Sequence, residues 1–277
     1  MLIQLIADYG TGDLAFAEVQ QRLHYFWPDA RIVTTSVAPF DTLAASFLVA
    51  QLALNPGPEE MLVYHNVAPR FDDDDPRHAN AGEELAAGQT QDGVWVIGPN
   101  SGEVFSLIRP GLISLNQVNV PAHGSQFRSR DIFPQALFEL IEQSGGTEPG
   151  ASVENDAIGP VIETVPEVPE GVILYTDGYG NIKTSWRNPP VQTGQRVLVR
   201  IGDTHHPAVV SDGSFAVGSG ELAFAPGSSG WRQGSEFRFY ELFLRGASAA
   251  SRFGHPAVGT KISLDQGSSD KLSFTQS

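Results

Sequence analysis

Residues 2–26, Leu-Ile-Gln-Leu-Ile-Ala-Asp-Tyr-Gly-Thr-Gly-Asp-Leu-Ala-Phe-Ala-Glu-Val-Gln-Gln-Arg-Leu-His-Tyr-Phe, carry the pattern on which the fold turns. Leu2–Ala7 is a short apolar run of strand length, and Asp8-Tyr-Gly-Thr-Gly12 is a turn signal. Asp13 is placed to cap a helix whose apolar residues Phe16, Val19, Leu23 and Phe26 recur at helical spacing. The same alternation continues to about residue 145. Arg31–Thr35, Met61–Tyr64 and Val94–Ile97 read as strands, and Thr42–Leu54 and Asp131–Gln143 as helices, with Pro134 tolerated in a first turn. Strands alternating with helices of this length predict an α/β domain with a largely parallel sheet over residues 1–145.

The composition then shifts. Residues 146–170 are rich in Gly, Pro and Glu with little periodicity, which reads as a linker. Beyond it, Val172–Tyr175, Arg196–Ile201, Ala208–Ser211, Glu221–Phe224 and Phe237–Leu244 read as strands separated by Gly, Asp and Ser turns. They predict a small antiparallel β-barrel or sandwich domain over residues 171–277, and the barrel is the form taken here.

The whole chain of 277 residues carries 32 acidic and 17 basic side chains, a net charge of −15. Such a chain is repelled by nucleic-acid phosphates and by anionic lipid, so neither is expected as a partner. With no cysteine, disulfides, thiolate metal sites and a cysteine nucleophile are excluded. The longest apolar runs, such as Ala44–Leu54, are too short to cross a membrane. The first residues lack a basic stretch and read as a strand instead of a signal peptide, which makes a cytoplasmic location the expectation. Only Lys183, Lys261 and Lys271 are lysines. That bias suits a salt-adapted cytosol, and a GC-rich genome produces it equally well.

Phosphate-loop, nucleophile-elbow and zinc-protease motifs are absent. His205-His206 reads as a surface pair, and Asp72-Asp-Asp-Asp75 as a solvated acidic loop, so no metal is expected. What remains is a set of polar clusters where strands end: Asp8-Tyr-Gly-Thr11, Asn66-Val-Ala-Pro-Arg70 and Gly98-Pro-Asn-Ser-Gly102. Ligands of α/β sheets bind at the carboxyl ends of strands, so these loops point to one crevice. A fourth cluster, Phe127-Arg-Ser-Arg-Asp131, leads into a helix.

In order along the chain, Asp8-Tyr-Gly-Thr-Gly-Asp13, Pro28-Asp-Ala-Arg-Ile32, Gly98-Pro-Asn-Ser-Gly102, Phe127-Arg-Ser-Arg-Asp-Ile-Phe133, Asp177-Gly-Tyr-Gly-Asn-Ile182 and Glu241-Leu-Phe-Leu-Arg-Gly-Ala-Ser-Ala-Ala250 resemble one family. It is that of the S-adenosyl-L-methionine (SAM) hydroxide adenosyltransferases, or SAM hydrolases, and the SAM-dependent chlorinases and fluorinases. The resemblance covers nearly the whole chain. It implies an α/β domain followed by a β-barrel domain, a homotrimer with sites between neighbouring subunits, and SAM as substrate with no separate cofactor.

The resemblance also implies residue roles. Asp8 matches the carboxylate that accepts both ribose hydroxyls, and Phe127 and Ser129 match residues beside the ribose and the nucleophile pocket. Asn100 lies in a supporting loop. Asn181 and Tyr179 match binders of the methionine or adenine end, and Arg245 a contact to the amino-acid carboxylate. The water-activating Asp, Arg and His of the hydrolases fall at Asn66, at Arg77 or Arg70, and at Arg128. Neither Asn66 nor Arg128 is a base at neutral pH, so that triad is absent. Either His65, His78 or one of Asp72–Asp75 supplies a base, or none is needed. Ser129 stands where the halogenases carry a serine, and Arg128 beside Arg130 suggests a locally basic pocket in an acidic chain. The expected activity is SAM hydrolysis to adenosine and methionine. The alternatives are a halide (chloride) transferase and a non-catalytic protein that binds SAM or another adenosine compound.

Overall fold

The structure is a computed structural model, and it describes residues 1–69, 75, 82–121, 124–144, 157–233 and 235–266. Packing divides the chain into two compact units, Met1–Glu167 and Val168–Ser277.

The first unit is built on a mixed seven-stranded sheet. It is formed by β1 (Leu2–Ala7), β2 (Arg31–Ser36), β3 (Met61–Asn66), β4 (Leu85–Thr90), β5 (Trp95–Pro99), β6 (Leu112–Val118) and β7 (Ala157–Pro160), in the spatial order β2-β1-β3-β5-β4-β6-β7. The pairs β1/β2, β1/β3 and β3/β5 are parallel, whereas β4/β5, β4/β6 and β6/β7 are antiparallel. The expected largely parallel sheet is therefore corrected to a mixed one. The reversal comes at Asp92-Gly93, where Gly93 takes φ +84° and its N–H and that of Val94 both bond Thr90, closing a hairpin. An Asp-Gly pair between apolar runs is a recognised hairpin signal. Strand β7 lies inside the segment read as linker.

Helix α1 (Leu14–Phe26) begins where expected, with the Asp13 carboxylate accepting from the Ala15 N–H. It buries Phe16, Val19 and Leu23. These join Ile3, Leu5, Leu62, Tyr64, Trp95 and Ile97, together with Leu137, Leu140 and Ile141 from the helical segment at 133–143, in one core on one face of the sheet. Helix α2 (Thr42–Ala53) packs on β1, β3 and β5 yet none of its residues enters that core, so it covers the other face. The helix expected over Asp131–Gln143 is two: α3 (Arg128–Asp131) and α4 (Phe133–Gln143), separated at Ile132 with Pro134 in the first turn of the second.

The second unit is a curled half-barrel of seven strands: β8 (Ile173–Thr176), β9 (Ile182–Thr184), β10 (Arg196–Ile201), β11 (Thr204–Val210), β12 (Leu222–Gln233), β13 (Ser235–Leu244) and β14 (Ile262–Asp265). Their order is β14-β10-β11-β12-β13-β9-β8, and an isolated bridge between Val172 and Lys261 brings the two edges together. The β11/β12 pair is parallel, which corrects the expectation of an antiparallel barrel. Ile173, Val197, Val199, Phe224 and Leu242 form the interior. A short helix, α5 (Ala249–Arg252), is capped by Ser248. Among the described residues no helix is long and apolar enough to cross a membrane.

One close approach in the first unit is demanding. A Cβ added at Gly98 of β5 would lie 2.4 Å from both the ring carbon Cε1 and the carbonyl oxygen of His65. Gly98→Ala is therefore expected to cost about 1–3 kcal/mol by overpacking, measured by chemical denaturation.

Candidate functional site

In the first unit the candidate residues gather at the carboxyl ends of three adjacent parallel strands. Ala7 pairs with Asn66, and the Asp8 N–H reaches the Asn66 carbonyl at 3.4 Å. Asn100 follows β5, with its N–H on the Glu84 carbonyl at 2.7 Å. The buried Ser101 hydroxyl donates to the Val67 carbonyl at 2.8 Å, tying the loop after β5 to the loop after β3. Asp8, Asn66 and Asn100 thus share one end of the sheet, where α/β folds hold ligands.

The Asp8 carboxylate is oriented from a neighbouring loop. Its Oδ2 accepts the Phe40 N–H at 3.1 Å. Phe40 holds φ +65°, a conformation that side-chain-bearing residues rarely adopt, and the residue is 53% exposed. Its neighbour Asp41 caps α2 through the Ala44 N–H, and burial raises the Asp41 carboxyl pKa above its usual value. Sequence reasoning misses Phe40; a strained backbone at a non-glycine residue leaves no compositional mark, and Pro39 marks only a break.

Residues 127–129 join this cluster through Tyr9. The Tyr9 hydroxyl lies 2.6 Å from Ser129 Oγ, and its ring meets Phe16 and Phe127 edge-on, with centroids at 5.1 and 5.9 Å. From below, the buried Tyr64 hydroxyl donates to the Ser129 carbonyl at 2.9 Å. Burial pushes the Tyr64 phenol pKa well above its usual value, so it stays protonated. Asp8, Tyr9, Phe127 and Ser129 are therefore one assembly, with Asn66 on the adjoining strand.

Two arginines of the expected basic pocket, Arg128 and Arg130, lie among the described residues. Arg128 donates to the Pro121 carbonyl at 3.1 Å and lies over the Phe133 ring at 5.3 Å, and its stem runs along Gly82. Burial lowers its pKa, while the charge of the buried Glu83 works the other way. Arg130 bonds Asp131 at 2.6 and 2.9 Å and Glu18 at 2.9 Å, and stacks over Phe127. The hydrogen bond from Arg130 to Asp131 raises the arginine's pKa. Arg130 is thus paired with two carboxylates, whereas the buried Nε of Arg128 has no hydrogen-bond partner among the described residues. Arg77, Arg70, His78 and Asp72–Asp74 lie outside the described residues.

His65 does not serve as the missing base. It is fully buried and packs edge-on against Phe105 at 4.9 Å, and among the described residues neither ring nitrogen has a hydrogen-bond partner. Desolvation pushes its pKa down to about 3, which makes it neutral and a weak proton acceptor.

In the second unit, Asp177 organises the turn that carries Tyr179 and Asn181. Its Oδ1 accepts both of their N–H groups at 3.0 Å, and its Oδ2 accepts Asn181 Nδ2 at 3.0 Å. Gly180, at φ +80°, passes so close to Ser248 that a Cβ would lie 2.0 Å from its hydroxyl, and the Ala250 N–H bonds the Gly180 carbonyl. The Asp177–Ile182 and Glu241–Ala250 motifs are thereby brought together. Tyr179 is 85% exposed. Arg245 turns away onto the backbone, donating to the carbonyls of Val217 and Phe215. Beneath the turn, Lys183 Nζ lies 2.9 Å from Glu241 and 3.4 Å from Asp177, and Glu241 also accepts from the Ser229 N–H.

No protein-family model matches the chain, and no curated protein matches it in sequence. Solved structures do. An uncharacterized conserved protein from Thermotoga maritima is similar with a TM-score of 0.71 at 19% identity, over 95% of this chain and 99% of its own. A conserved hypothetical protein from Thermus thermophilus is similar with a TM-score of 0.65 at 21% identity, over 95% and 98%. At such identities the likeness establishes a shared fold.

Two stability measurements test these environments. The unfolded chain takes up the His65 proton near pH 6.5 and the folded chain only near pH 3, so the contribution of His65 to stability is full above about 6.5 and is lost as pH drops towards 3. His65→Leu should lessen that loss by on the order of a few kcal/mol in denaturation curves across this window. Lys183→Met should cost about 3–5 kcal/mol by leaving Glu241 buried and unpaired, and adding Glu241→Gln should recover most of it.

Proposed function

We propose that this protein binds SAM and transfers its adenosyl group, displacing methionine from the ribose C5′ carbon with water to give adenosine and methionine. The observation that carries the reading is the Asp8 carboxylate, held by the Phe40 N–H at the end of β1 and set beside the Tyr9–Ser129 pair. A carboxylate at that place suits a ribose diol, because its oxygens accept both hydroxyl hydrogens in charge-assisted bonds. Methionine leaves a sulfonium as a neutral thioether and needs no general acid. Catalysis then rests on alignment of nucleophile, C5′ and sulfur, and on exclusion of bulk water. Phe127 offers an apolar wall, and Asn66 and Asn100 neutral amides. As in the family resembled, the working form is a homotrimer.

A second reading, halide as nucleophile, is supported by one observation. The described cluster around Asp8 and Ser129 offers amides and hydroxyls, and its nearest histidine, His65, is buried and unbasic. A halide has no proton to lose, whereas water loses one on attack.

Incubation of the purified protein with SAM, with and without chloride, followed by chromatography, separates these readings. Adenosine is expected under the first and 5′-chloro-5′-deoxyadenosine under the second; SAM binding without product identifies a binding protein, and no binding overturns the reading. Asp8→Ala should weaken SAM binding in calorimetry by about ten- to a hundredfold, the loss of charge-assisted hydrogen bonds worth about 1.5–3 kcal/mol.

A further inference from the structure

Strand β2 is one edge of the first sheet, and among the described residues β1 is its one paired neighbour. The Arg31 N–H reaches the Met1 carbonyl and the Val37 N–H the Ala7 carbonyl, both at 3.0 Å. In a parallel ladder alternate residues serve the same neighbour, so the backbone groups of Val33 and Thr35 also face β1. Ile32, Thr34 and Ser36 therefore turn their N–H and C=O groups outward. Natural sheet edges are blunted by charge, proline or a bulge. This one, Arg-Ile-Val-Thr-Thr-Ser, has no proline and no break in register, and its single charge is Arg31 at one end. Its β-branched residues suit strand pairing.

Two features name what covers this edge. The first is symmetry. The three outward residues are centred on Thr34, so a second β2 related by a two-fold axis matches the edge group for group. Thr34 then faces the partner's Thr34, Ile32 faces the partner's Ser36, and no like charges are opposed. The second is charge. Residues 19–40 hold one acidic residue, Asp29, in a chain of 277 with 32 of them. Arg22 and Arg31 lie where β2 begins, and Asp8 and Asp41 where it finishes. An antiparallel partner sets each basic end against an acidic one, whereas a parallel partner would set like on like. Tyr25, 71% exposed with the Arg22 guanidinium 5.0 Å from its ring, adds apolar surface at the basic end.

We propose that β2 is a self-pairing edge, through which two copies of this chain join antiparallel with the two-fold axis at Thr34. Their first sheets then run on as one. This goes beyond the adenosyl-transfer reading and does not depend on it. The strand contact has six residues a side, against about 20–30 in stable complexes, so dissociation in the micromolar range is expected.

Sedimentation equilibrium of the full chain, from roughly 1 µM to 1 mM, spans such constants. The mass is expected to double with concentration, counted from the assembly that the Thr34→Lys variant forms. Thr34→Lys sets two like charges face to face on the axis and should weaken pairing about tenfold. Thr34→Pro removes an outward N–H that β1 does not use, and should do the same. Because the chain has no cysteine, a single introduced one reports the register. Opposed residues of a hydrogen-bonded antiparallel pair lie about 5.5 Å apart at Cα, within disulfide reach. Thr34→Cys should therefore cross-link under mild oxidation, whereas Thr35→Cys, which faces the partner's Val33, should not. A mass that never doubles in this range overturns the proposal. So does doubling indifferent to Thr34→Lys, or cross-linking at Thr35→Cys as fast as at Thr34→Cys. Unchanged melting temperatures confirm that folded proteins are compared, and if Thr34→Pro fails to fold, Thr34→Lys and the two cysteine variants decide.

Discussion

The parallel, in-register pairing of β1 with β3, and of β3 with β5, sets the geometry of the whole first unit. A parallel ladder aligns the carboxyl ends of its strands, so Ala7 stands opposite Asn66 and the three following loops leave the sheet on one side. Residues separated by dozens of positions in the chain thereby become neighbours. The ladder tolerates no slip, since a shift of one residue would turn Leu62 and Tyr64 out of the core and His65 into it from the wrong face. The absent Cβ at Gly98 serves the same register, letting β5 run beside the His65 ring.

Charge follows a different logic from the net value of −15. Arg130 is compensated by Glu18 and Asp131, while Arg128 feels the charge of Glu83 and bonds a backbone carbonyl. In the second unit the buried Lys183 is placed between two carboxylates. Buried charges persist where partners satisfy them, so these groups serve local architecture first. What the cluster around Asp8 offers a ligand is one oriented carboxylate, amides and a pair of hydroxyls.

Several elements are plain from local pattern. Helix α1 is readable because Asp13 caps it and Phe16, Val19 and Leu23 recur at helical spacing; β10 is readable because Arg196–Ile201 alternates in and out of the core. Strand β4 is not, since Leu-Ala-Ala-Gly-Gln-Thr has weak strand preference and is held extended by β5 and β6 on either side. The same holds for β14, a four-residue strand paired with β10. In the site, Asp8, Asn66 and Ser129 stand out as polar residues at element ends. Phe40, Tyr64 and Lys183 do not, because their roles lie in a backbone angle, a hydroxyl reaching 65 positions along the chain, and an ion pair across strands.

Local sequence settles where strands and helices alternate and which loops carry polar side chains after a strand. These depend on periodicity and turn chemistry, which act over a few residues. Three outcomes belong to the folded chain alone: half of the first sheet runs antiparallel, His65 is neutral and out of play as a base, and the arginines at positions 128 and 130 are already engaged. Those outcomes depend on which distant groups surround a residue, and on how far they strip it of water. Neither quantity is written in the spacing of neighbours along the chain.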